Sequence, residues 1–108
     1  MSKYSVFSST QIEEAKKNIR KRIFFLLLIV DPETKDKYDN INVEDAFNIE
    51  IKKIGGMNRL LSYPKELVEV LSLLEAALME YENPNFEFKV YRKLVLDAGA
   101  LVENIKGV

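Results

Sequence analysis

Eight consecutive apolar residues, 23–30 (IFFLLLIV), stand between Arg22 and Asp31. A membrane span needs about 20 such residues, so a run this short has to find cover within a folded core. Upstream, Ile12, Ala15 and Ile19 join Ile23, Leu26 and Val30 at three- and four-residue spacing, which is one stripe of an α-helix. Phe24, Phe25 and Leu28 fall away from that stripe, on the side toward which Lys17 and Lys21 point. The C-terminal half of this helix is therefore apolar around its circumference. A helix of that kind must be covered on every side, by its own chain or by a partner.

The rest of the chain supplies the elements that could do so. Ser8 with Gln11 three residues on matches a capping box, with Phe7 and Ile12 placed as its hydrophobic staple. Asp31-Pro32 ends the first helix, because the residue before a proline is pushed out of the α region. Residues 31–42 are polar and rich in turn formers, so they read as a loop. Asn42 is placed to cap a second helix, in which Val43, Phe47, Ile51 and Ile54 keep helical spacing. Phe47, Ile49 and Ile51 also alternate as a strand would, so residues 46–54 carry two patterns; with no hairpin partner following, helix is preferred. Gly55-Gly56 is expected to break it, leaving a short helical turn near residues 57–61. Pro64 suits the first position of a third helix. Asn83-Pro84-Asn85 is a turn whose last residue can cap a fourth, stopped by Gly107. In that fourth helix Tyr91, Leu94, Val95, Ala98, Leu101, Val102 and Ile105 face inward, and Ala98-Gly99-Ala100 makes a slim stretch suited to close helix approach. The expectation is an all-α chain, one helical domain over residues 1–108. Its architecture would be a compact antiparallel bundle of four main helices at 9–30, 43–54, 64–82 and 86–106.

Composition narrows the chemistry. The chain has no Cys and no His, so thiol chemistry, disulfides, histidine bases and the usual zinc ligands are excluded. The missing cysteines and the polar residues 1–9, which contain no apolar signal-peptide core, point to a reducing, cytoplasmic setting. The acidic loop fails the calcium-loop test. Counted from Asp31, the required glycine position holds Asp36; counted from Asp36, it holds Ile41. Glu75, Glu80 and Glu82 lack the Glu-x-x-His partners of a di-iron bundle. Gly55-Gly56 is not followed by the Lys and Ser/Thr of a phosphate loop. Asp97 lies at the edge of the apolar face with Lys93 one turn before it, the spacing of an ordinary ion pair. No metal, cofactor, small-molecule substrate or enzymatic activity is implied.

Two features of the first helix remain. The formal charge is -1 overall, yet residues 1–30 hold six basic and two acidic side chains. Lys16, Lys17, Arg20 and Lys21 would form an outward basic stripe able to contact phosphates, although no nucleic-acid motif or interleaved aromatic residue accompanies them. Phe24, Phe25 and Leu28, flanked by Lys17 and Lys21, form the other candidate: an apolar surface for a protein partner, in the simplest case a second copy of the chain. The sequence thus favours a non-enzymatic interaction or accessory module over a nucleic-acid-binding accessory protein.

Overall fold

The computed structural model describes residues 9–60 and 65–105. Four helices carry the fold: α1 Ser9–Leu28, α2 Val43–Leu60, α3 Lys65–Glu82 and α4 Phe88–Val102. A four-residue 3-10 helix, Lys35–Tyr38, interrupts the segment expected to be loop. No strand occurs among the described residues. The expected capping box at Ser8, the staple at Phe7, the helix start at Pro64 and the stop at Gly107 lie outside them.

The apolar stripes read from the sequence meet in one core. Ile12, Ile19, Ile23 and Leu26 of α1 pack with Phe47 and Ile54 of α2, Leu67, Val70, Leu74 and Ala77 of α3, and Tyr91, Val95, Ala98 and Val102 of α4. The competition between helix and strand at residues 46–54 resolves through phase: Phe47 is fully buried while Ile49, two residues on, is exposed. Asn42 caps α2 as expected, its Oδ1 accepting the Asp45 amide at 2.9 Å. The α3–α4 connection turns on Asn83, whose Oδ1 accepts the Asn85 amide at 2.8 Å. Glu87, in extended backbone, then precedes the first turn of α4, so the helix begins two residues later than Asn85 would have placed it.

Gly55-Gly56 does not break α2, which runs continuously to Leu60 and absorbs the short turn expected near residues 57–61. A β-carbon built on either glycine would meet nothing within 4 Å. Neither glycine answers a steric demand here. Their backbone bonds to the helix, and the packing of Ile54, outweigh a propensity penalty of about 1 kcal/mol each.

The end of α1 shows how the bundle closes. The last four carbonyls of a helix have no partner within it. Here all four find one. Phe25 O accepts the Ile29 amide at 3.1 Å, and Leu27 O accepts the Val30 and Asp31 amides. Leu28 O accepts the Thr34 hydroxyl at 2.7 Å. Leu26 O accepts the hydroxyl of Tyr91, at 2.5 Å, from the far side of the core. Tightening of the chain into these turns ends α1 at Leu28, before Asp31-Pro32 is reached. Tyr91 is fully buried and surrounded by the rings of Phe47, Tyr81, Phe86 and Phe88, all with centroids within 6.4 Å. Burial, with a smaller contribution from Tyr81, pushes its phenol well above the usual tyrosine range. Its hydroxyl therefore stays a donor.

Candidate functional site

Helix α1 packs antiparallel to α4, because residues rising along α1 meet residues falling along α4. Toward α4, Arg20 pairs with Glu103, a β-carbon on Gly99 would lie 3.9 Å from Ile23, and Tyr91 reaches Leu26. Toward α2, Arg22 Nη1 lies 3.3 Å from Glu50 Oε2, while its Nε donates to Asn18 Oδ1 at 2.7 Å. Glu50 is a nearly buried carboxylate, and Arg22 is the counter-charge that permits it.

The greasy half of α1 is covered only in part by the described residues. Phe25 is half-buried because the 31–41 segment folds back and sets Tyr38 edge-on against it, ring centroids 5.6 Å apart. Leu28 is half-buried, and its carbonyl anchors the same segment through Thr34. Phe24 is different: it remains 52% exposed. It borders a groove of about 320 Å³ between α1 and α4, lined by Ile23, Val95, Leu96, Gly99 and Ala100, with Arg20 and Glu103 at one end. Leu96, across the groove, is 38% exposed. The slim Ala98-Gly99-Ala100 stretch faces this groove at Gly99, yet the 3.9 Å separation from Ile23 is ordinary contact and does not demand glycine.

The expected basic stripe is divided. Lys16 does not point outward. Seven residues before Ile23, it shares that residue's phase and lies 7% exposed, its stem along the core and its Nζ 3.1 Å from Glu103 O and 3.3 Å from Glu13 Oε1. Arg20 is engaged with Glu103. Lys17 and Lys21 remain exposed, with no ion pair among the described residues. Asp97 holds Lys93 at 3.0 Å, the spacing expected from the sequence.

A second groove, about 420 Å³, lies between α1 and α2 and is lined by Glu14, Asn18, Arg22, Lys53 and apolar neighbours. Its arginine is already committed to Glu50 and Asn18. Among the described residues no three acidic, histidine or cysteine side chains gather as a metal set would, and no helix is long and apolar enough to cross a membrane.

Sequence reasoning missed the α4 half of the exposed face. The signal was present: Leu96 is apolar but out of phase with Tyr91, Val95, Ala98 and Val102, just as Phe24 is out of phase with the α1 stripe. Comparison with protein-family models, curated proteins and solved structures finds no match to this chain.

Proposed function

We propose that this protein is a non-enzymatic interaction module that binds a protein partner through the α1–α4 face. One observation carries the reading: Phe24, in the apolar second half of α1, stays half in water beside a groove with an apolar floor. Isolated exposed apolar residues are ordinary on any surface. Phe24 and Leu96 are not isolated; they stand on opposite walls of one groove, and an aromatic residue with a neighbouring cavity is the usual anchor of a protein contact. Lys17 and Lys21 flank that centre, while Phe25 and Leu28 support it from beneath the Tyr38 segment. The nucleic-acid alternative loses support, because two of its four cations, Lys16 and Arg20, already hold the end of α4.

The test compares Phe24→Glu with Met79→Glu, a substitution at an even more exposed apolar residue on α3. Both variants should remain folded by circular dichroism. Phe24→Glu should lose the complexes that the wild-type chain forms in its own cell, measured by native mass, while Met79→Glu keeps them. Retention of the same complexes by both variants refutes the reading.

A further inference from the structure

Charge around the α1–α4 groove specifies what can occupy it. Glu14, beside Lys17, is exposed without an ion pair among the described residues, but Glu13 is taken by Lys16, Glu103 by Arg20 and Asp97 by Lys93. The exposed cations are not. Lys17 and Lys21 precede Phe24 on α1, and Lys89 and Arg92 precede Leu96 on α4; none has an ion pair among the described residues. Because the two helices run antiparallel, these pairs stand at opposite ends of the groove, with Phe24 and Leu96 between them. The surface is an apolar seat with unpaired positive charge at both ends.

We infer that the occupant of this groove is an acidic amphipathic helix of another protein, its apolar ridge on Phe24 and Leu96 and carboxylates at both ends meeting Lys17, Lys21, Lys89 and Arg92. The inference rests on the interaction reading above and names the partner's chemistry. The stretch from Lys17 to Leu28 measures about 16 Å, three turns of helix, which is the length over which a docked helix presents an i, i+3, i+4, i+7 ridge. A second copy of this chain fits less well. A two-fold axis lying along the groove or straight across it brings the cations of one copy against those of the other, and like charges across a contact oppose it.

The probe is a synthetic helix-forming peptide of about 18 residues, long enough to hold helical structure, with Leu at the ridge positions and Glu elsewhere. Its control replaces every Glu by Lys. Fluorescence anisotropy should show the Glu peptide binding wild-type protein about tenfold more tightly than the Lys peptide, with affinity falling as salt rises. Phe24→Glu should abolish binding, and Lys17→Glu/Lys21→Glu/Lys89→Glu/Arg92→Glu should reverse the peptide preference, with circular dichroism confirming that each variant folds. Equal binding of the two peptides, or no binding of either, overturns the inference. A wild-type dimer by light scattering that Phe24→Glu converts to monomer also overturns it, while leaving the interaction reading intact. Single-stranded DNA bound by wild type and by Phe24→Glu alike, with neither peptide bound, overturns both.

Discussion

Replacing Gly55 and Gly56 by alanine separates two accounts of α2 by the sign of the effect. In the structure both glycines lie inside a continuous helix, and a β-carbon on either meets nothing within 4 Å. Each alanine then removes backbone freedom from the unfolded chain without strain in the folded one, a gain of about 1 kcal/mol apiece. With an unfolding entropy of about 2.1 cal/mol/K per residue over the chain, roughly 2 kcal/mol raises the melting midpoint by about 9 °C. Had the pair instead ended the helix, one glycine would occupy the left-handed conformation usual at a helix stop. Alanine there costs about 1–2 kcal/mol, and the midpoint would fall. Thermal unfolding followed by circular dichroism, with urea titration to obtain the free energy directly, reads the difference. A double variant that melts lower than wild type refutes the continuous helix and restores a break at residue 55.

The remaining expectations concern the groups that tie α1 to its neighbours. Tyr91→Phe keeps the ring packing but strands the Leu26 carbonyl in the core, a loss of about 1–3 kcal/mol by chemical denaturation; an unchanged midpoint would show that this carbonyl reaches another donor. Because folding raises the Tyr91 pKa, its neutral form contributes stability that is complete below the unfolded value of about 10 and is lost as pH rises above it. Tyrosinate absorbance from Tyr91, isolated as the difference between wild type and Tyr91→Phe, should therefore appear with unfolding and not before. Arg22→Ala leaves the nearly buried Glu50 without its counter-charge and should cost about 1–3 kcal/mol, whereas Lys93→Ala, at an exposed pair with Asp97, should change stability by less than about 0.5 kcal/mol. Equal losses in these two variants would contradict the burial difference on which the comparison rests.

Local patterning determined the helices. A stripe at three- and four-residue spacing can be buried only as a helix, so Ile12, Ile19, Ile23 and Leu26 could be assigned to the core before any partner was known, as could Tyr91, Val95, Ala98 and Val102. The Asn42 cap and the Lys93–Asp97 pair were legible for the same reason, since each depends on residues within one turn. What the glycine pair would do was not. A helix break and a helix interior differ there by about 1 kcal/mol per residue, which the packing of Ile54 and Phe47 decides.

The candidate site divides along the same line. The sequence by itself determined that the second half of α1 carries more apolar surface than one stripe can hide. Only tertiary structure decided which part stays in water: Tyr38 returns over Phe25, Thr34 anchors the chain beside Leu28, and Phe24 opens onto α4 with no described segment folded across it. Lys16 turned inward and Arg20 became engaged for an equally non-local reason, because Glu103, more than eighty residues away in sequence, ends its helix beside them. Periodicity tells which way a side chain points from its own helix axis. What it meets there depends on the path of the rest of the chain, which no pattern within a single helix encodes.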